Sequence, residues 1–424
     1  MKVQALTSQR TPMAVVSHPG WQLLLLAVAV TAANYARFAV GPFQETIRGA
    51  LALSDNQMAL LQGPALALPT VLAAIPVGFV IDRRSRVSLL LLFATLTVLG
   101  SVLTALASTF AILFAARCLV GLAAAATTTA VFSLLADLYV PELRGRANMV
   151  VVIGQVIGAS VTYAVGGALL AGAGPGGWHR AMLIMFTPLL FFLLAPLCMR
   201  EPARTGVIID KPSARAALSE LWGYRGIVLP LLAGVVMVSI AECAALIWAA
   251  PTFARSFALS ADRIGTIMAV ALLVSGLSGA IVGGILADLC QRGGGPARTL
   301  SALSKLLLLS IPASLFGAMP EAISASVLLV IFMTIGTVIG LGATTLATVV
   351  IPSELRGLFL AIMFAFGTVF GIGLAPVAVS VLSSHIGGPA MIGKALTVVC
   401  VVGSLIGTLT FALGNRNIRA SAAG

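Results

Sequence analysis

From Trp21 toward the C-terminus the chain is a succession of apolar runs of roughly 20 residues, each closed by a short break of charged, glycine or proline residues. At 1.5 Å per residue, a helix of that length crosses a hydrocarbon core of ~30 Å. The pattern predicts twelve membrane-spanning helices, at 21–43, 57–81, 87–109, 110–138, 147–172, 180–198, 226–254, 264–289, 299–318, 322–350, 356–384 and 388–414, called spans 1 to 12 below.

Composition agrees. Hydrophobic residues make up 59% and charged residues 9%, where a soluble domain carries about 25% charged residues; the mean hydropathy is +1.09. The net charge of +12 would suit nucleic acid, but its placement argues for topology instead. Among the 25 lysines and arginines, Arg37 and Arg117 fall inside spans. Arg48, Arg180, Arg255, Arg263 and Lys394 fall on one face, and all the others, from Lys2 and Arg10 through Arg83, Arg84, Arg86, Arg204, Lys211 and Arg215 to Arg419, fall on the opposite one. Basic residues concentrate in cytoplasmic loops, so both termini are expected in the cytoplasm and no nucleic-acid partner is implied. Cys118, Cys198, Cys243, Cys290 and Cys400 are scattered without a CxxC pair, which supports neither a disulfide framework nor a zinc site. The first 20 residues lack the apolar core and small-residue cleavage site of a signal peptide.

The chain repeats itself. GFVIDRRSR (Gly78–Arg86) follows span 2 and GGILADLCQR (Gly283–Arg292) follows span 8. PELRGRA (Pro141–Ala147) follows span 4 and PSELRG (Pro352–Gly357) follows span 10. Asp82 and Asp288 are 206 residues apart and Glu142 and Glu354 are 212 apart, so two strings share nearly one offset, as in a duplicated six-helix half. The expected organisation is a bundle over 1–199, a cytoplasmic linker over 200–225 and a second bundle over 226–424.

Those strings carry a resemblance. GFVIDRRSR is similar to the signature between helices 2 and 3 of the major facilitator superfamily, and RCLVG (Arg117–Gly121) to its helix 4 signature; LSDNQMALLQG (Leu53–Gly63) further resembles the spinster branch and its bacterial relatives, linked to lysolipids and sphingoid phosphates. The resemblance implies an all-α membrane protein with two pseudo-symmetric six-helix bundles rocking about a central site, a secondary transporter working by alternating access. It gives Gly78, Asp82, Arg83, Arg86, Asp137 and Asp288 the role of a cytoplasmic latch. Gly78 would let span 2 approach the other bundle, Asp82 would meet the positive N-terminus of span 11 near Gly357, and Arg86 would reach Asp137. The competing reading is that these arginines only hold the topology.

Charge inside a span costs about 2.5–3.5 kcal/mol at mid-membrane on insertion scales and needs a reason. Arg37, Arg117 and Glu242 lie in spans 1, 4 and 7, which line the cavity of the superfamily; snorkelling competes for Arg37, and bonding to a neighbouring helix competes for Arg117. Spinster-like chains usually read Asn-Tyr-x-Asp-Arg in helix 1, whereas Ala36 precedes Arg37 here, and Ala124 stands where relatives carry a helix 4 glutamate. Two arginines without those acids suit an anionic ligand. Glu242, the acid well inside a span, is the candidate proton-coupling group if it approaches Arg37 or Arg117 in one state only; a static bridge is the alternative.

Asn34, Tyr35, Tyr163 and Trp248 are further candidates for binding substrate, with ordinary packing as the competing reading. The helix 11 rings Phe364, Phe366 and Phe370 read as core. Helix 5 lacks the Gly-Pro pair of drug antiporters. No GxSxG, HExxH or GxxxxGK[ST] string occurs, so neither an enzyme nor an ATP-driven pump is indicated, and no cofactor or metal is implied. The expectation is a monomeric transporter of the bacterial inner membrane carrying an organic or lipid-like anion, with protons as a coupling ion. Small-carboxylate symport and multidrug efflux are the alternatives, with a channel or a non-transporting receptor as the different class.

Overall fold

The computed structural model describes residues 19–174, 176–202 and 214–423. The expectations for Lys2, Arg10, Arg204, Lys211, the leader region and most of the joining segment lie outside these residues.

The described chain is helical throughout, and the helices follow the predicted spans. Span 1 is Pro19–Phe38, continued past a break by Gly41–Phe43 and Gln44–Ala50. Span 2 joins Asp55–Gln62 to Pro64–Arg83. Spans 3 to 7 are Arg86–Ala105, Phe110–Leu138, Pro141–Gly172, Trp178–Phe192 with Leu194–Leu197, and Arg225–Phe257. Spans 8 and 9 run together as Ala261–Ser314. Span 10 is Ala322–Val350; span 11 is Ser353–Phe366, Gly367–Leu374 and Ala375–Ile386; span 12 is Ile392–Ala423.

The 54-residue run of spans 8 and 9 is far too long for one crossing. It breaks at Gly294 (φ 166°, ψ 10°) and Gly295 (φ 62°, ψ −149°), the second a conformation that only glycine adopts readily, and the chain returns as a separate span. Twelve crossings place both chain ends on one face, the terminal face; the other is the distal face. Polar side chains start the helices where the apolar pattern begins. Ser54 and Gln57 form a reciprocal capping box, and Ser85 and Thr109 accept from the N–H groups of Ser88 and Ile112.

Two apolar cores lie wholly within spans 1 to 6. A third gathers spans 7 and 9 to 12 with Ala217 and Leu221 of the linking helix Ala214–Gly223. The fourth belongs to spans 7 to 12 but takes in Ala59 and Tyr163 from the first half, at the distal end where the bundles meet.

Two irregularities shape that meeting. Span 11 is π-helical over Gly367–Leu374 because Pro376 has no N–H for the Ile372 carbonyl. The carbonyls of Ile372 and Gly373 turn toward span 2, and a Cβ on Gly63 would sit 2.8 Å from each oxygen, so glycine there is what lets spans 2 and 11 touch. Gly167 and Gly265 play the same part between spans 5 and 8, where a Cβ on Gly167 would lie 2.6 Å from the Ala261 carbonyl.

On the terminal face Arg86 does pair with Asp137, but both belong to the first bundle, so the pair holds spans 3 and 4 together and cannot sense bundle motion. A second acid, Glu201, completes it. Arg86 donates to it at 2.9 Å, and it accepts from the Val87 N–H and the Ser85 hydroxyl, both at 2.9 Å, capping span 3 with the end of span 6. Burial alone would raise the Glu201 carboxyl, but these donors outweigh it and hold the group below the usual carboxylate range. A carboxyl depressed in the folded state stabilises above its unfolded value of about 4.3, and that contribution fades as pH falls through the folded value. Glu201→Ala should therefore lower the thermal unfolding midpoint at neutral pH, and the gap from wild type should close below about pH 4 in a melting series.

Candidate functional site

The distal face is clasped shut by charge. Arg255, at the distal end of span 7, donates from Nη2 to Glu45 and Asp55, both at 2.7 Å, from Nη1 to Asp55 at 2.7 Å, and from Nε to Glu45 at 3.0 Å. The acids belong to the first bundle and the arginine to the second. Asp55 and Arg255 are 9% and 12% exposed, which keeps water from screening the pairs. Arg48 stands beside the same acids at 3.5 and 3.8 Å, its Nε without a hydrogen-bond partner. Tyr163 adds a rung, its hydroxyl donating across the bundles to the Leu246 carbonyl at 3.3 Å.

The terminal face is apart. A Cβ built on Gly78 or Gly357 would meet no atom within 4 Å, and Asp82, Arg83 and Asp288 are exposed. Arg83 lies 5.9 Å from the Phe79 ring centroid. Of the residues assigned to the latch, Gly78, Asp82, Arg83 and Asp288 are thus disengaged in this arrangement, while Arg86 and Asp137 pair within the first bundle.

Between the closed end and the open one lies a cavity of about 620 Å3, walled by Asn34 and Phe38 of span 1, Gln155 of span 5, Glu242 of span 7, Ser275 of span 8, Gly336, Thr337 and Thr344 of span 10, and Phe364 of span 11. A second, apolar cleft of about 600 Å3 runs between spans 2, 4 and 11, lined by alanines, Ile75 and the threonines Thr70, Thr129 and Thr368. Phe364 lines both spaces and is 61% exposed, so this ring is a partition and not core.

Glu242 occupies the space that Gly336 leaves free; a Cβ on that glycine would overlap the carboxyl. Among the described residues no ion pair joins Glu242 to an arginine, so the static bridge is not the arrangement found here. Arg37 shares a helix face with Asn34 and Phe38, its guanidinium 5.8 Å from the Phe38 ring centroid and near Cys243 of span 7. No carboxylate of the described residues lies within ion-pair distance of it.

Arg117 does not face the cavity. It is 1% exposed, and its guanidinium donates to the carbonyls of Ala36 (3.3 Å) and Arg37. The reason is the end of the helix Pro19–Phe38: carbonyls of its last turn have no continuing helical ladder and take donors from elsewhere. Three other binding candidates also turn out to be packed. Tyr35 donates to the Met185 carbonyl at 2.8 Å and Trp248 to the Pro376 carbonyl at 2.9 Å, while Tyr163 belongs to the distal closure. Asn34, Arg37 and Glu242 are the sequence candidates that the fold brings to or beside the cavity. Gln155, Gly336 and Phe364 carried no sequence signal. The clasp did: Arg48 and Arg255 were among the few exceptions to the charge bias.

The sequence model of the Major Facilitator Superfamily matches residues 26–376. An MFS-type efflux pump of Mycolicibacterium smegmatis is 27% identical over 76% of this chain and 73% of its own length. Human protein spinster homolog 1 is 30% identical over 45% of this chain and 36% of that protein. Among solved structures, a bacterial homolog to the human lysosomal transporter Spinster, inward-facing and unoccupied, superposes with a TM-score of 0.79 at 20% identity, covering 95% of this chain and 97% of that one. A D-xylose-proton symporter gives 0.70 at 14% identity, over 92% and 97%.

Arg255→Gln should raise the ratio of distal-open to terminal-open molecules on the order of tenfold or more, since truncating one side of a buried charge cluster costs about 3–5 kcal/mol and this one is partly exposed; pulsed electron-spin distances between the distal ends of spans 3 and 9 would lengthen. Gly336→Ala should cost about 1–3 kcal/mol of stability by overpacking the Glu242 carboxyl, whereas Gly340→Ala, on the same cavity wall with nothing within 4 Å of a Cβ, should melt like wild type.

Proposed function

Because the chain belongs to the Major Facilitator Superfamily, we propose that it carries an amphipathic organic anion across a bacterial inner membrane by alternating access, with Glu242 exchanging a proton. The bundles that rock are 1–199 and 226–424, tied by 200–225, and the terminal face is cytoplasmic on the bias of its basic residues. The working unit is a monomer, since the cavity lies between the halves of one chain.

The observation that carries this reading is the solitary Arg37. A guanidinium stays protonated in any protein environment, whereas a carboxyl can be neutralised by a proton. With Glu242 protonated, the standing charge beside the cavity is positive, and Arg37 has open donor positions for a phosphate or carboxylate. The adjoining apolar cleft supports an amphipathic ligand, its headgroup near Arg37, Asn34 and Gln155 and its chain passing Phe364 toward spans 2 and 11. The coupling arises because each bundle arrangement exposes Glu242 to one side of the membrane. Loss of Arg117 from the lining weakens the electrostatic argument by one charge and leaves its sign unchanged.

A second reading rests on one observation. Glu242 is the charged residue among those lining the cavity, which suits export of an amphipathic cation.

Counterflow in proteoliposomes and thermal shift against lysophospholipids, small carboxylates and cationic amphiphiles separate these. Arg37→Ala should weaken binding of the anionic ligand about 10- to 100-fold, the worth of a charge-assisted hydrogen bond of ~1.5–3 kcal/mol. Glu242→Gln should retain counterflow and lose its response to a pH gradient; full gradient-driven uptake by that variant would remove Glu242 from coupling. Stabilisation by cations that survives Arg37→Ala and vanishes in Glu242→Gln would favour the second reading.

A further inference from the structure

A patch on the terminal face is used by neither the cavity nor the gates. The linking helix Ala214–Gly223 turns Ala217 and Leu221 into the core beside Leu355 and Phe359, and leaves Leu218 and Trp222, one turn apart, 51% and 60% exposed. Tyr224 follows at 37% exposure, and Arg225 opens span 7. The end of span 12 is pinned alongside: the Asn417 amide donates to the Gly226 carbonyl at 2.7 Å, while Ile418 packs into the same core. That bond holds the end of span 12, which carries the exposed Arg416 and Arg419, against the start of span 7, which carries the exposed Arg225. The terminal end of the second bundle therefore exposes three arginines together with two amphipathic aromatic rings and a leucine, with Glu220 the acid on the linking helix.

We propose that this patch binds the anionic phospholipids of the leaflet at the terminal face, with the three guanidinium groups on headgroup phosphates and Trp222, Tyr224 and Leu218 below them in the interface. Tryptophan and tyrosine settle where an apolar medium meets a wet one, with one end of the ring in each. Arginine forks match phosphate oxygens in pairs, and basic residues beside a membrane surface gain from its negative potential. The charge complementarity selects lipid of net negative charge over zwitterionic lipid, and the apolar residues select a bilayer over a soluble anion. Because the patch spans the linking helix, the start of span 7 and the end of span 12, a bound lipid would fasten the second bundle to the leaflet at the point where the joining segment enters it.

The test uses the full chain in nanodiscs of brominated phosphatidylglycerol or brominated phosphatidylcholine, read by tryptophan quenching. Wild type should be quenched more strongly in phosphatidylglycerol, and subtracting a Trp222→Phe trace should assign that difference to Trp222. In mixed discs the lipid preference at Trp222 should be about tenfold, and should collapse toward unity in the Arg225→Gln/Arg416→Gln/Arg419→Gln variant and in wild type at 1 M salt, where the Debye length is about 3 Å. Equal quenching in both lipids, a preference that survives both the triple variant and high salt, or a Trp222 shielded from both lipids by a second copy or an acidic protein would overturn the assignment. The salt arm reads the native chain, so the outcome stands even if the triple variant does not fold.

Discussion

A guanidinium cannot shed its charge in hydrocarbon, and much of this architecture is the set of places found for that one group. Arg117 spends its donors on carbonyls of the last turn of Pro19–Phe38. Arg86 is enclosed by Asp137 and Glu201, which sews spans 3, 4 and 6 into one body. Arg255 takes two acids of the opposite bundle and thereby shuts the distal face. Each solution is a piece of scaffold or gate. Arg37 has an aromatic ring at 5.8 Å and open donors, and the chamber lies beside it.

Around those charges the bundles meet unevenly. At the distal end, glycine removes the side chain wherever two backbones must touch: Gly63 against the freed carbonyls of span 11, and Gly167 against Gly265. Toward the terminal face Gly78 and Gly357 face empty space. Close approach there needs only a rotation of one bundle against the other, since no side chain at Gly78 or Gly357 stands in the way.

The fold was legible because hydrocarbon leaves the sequence few options: long apolar runs, short breaks and a repeated string at a nearly constant offset were enough to reach twelve helices in two halves. The site was legible only in its charges. Glu242 reached the cavity because an acid in mid-span has few other uses. Tyr35, Tyr163 and Trp248 bond to backbone carbonyls, the packing reading stated beside the binding one, because a hydroxyl or indole in a membrane helix meets a carbonyl as readily as a ligand, and composition does not reveal which. Arg117 takes the competing role read for it, bonding to a neighbouring helix: the cost of its burial was visible in the chain, but which carbonyls offset it was not, since they lie 80 residues away. Phe364 was read as core because an apolar ring looks the same in sequence whether it fills a gap or divides two chambers.

The seating of Glu242 against Gly336 has one more consequence. Both residues ride on the second bundle, while Arg37 rides on the first. The acidic and the basic group are therefore mounted on opposite jaws, and their separation is a readout of jaw angle. A molecule wedged between them would measure that angle for the protein, reporting to each half where the other stands.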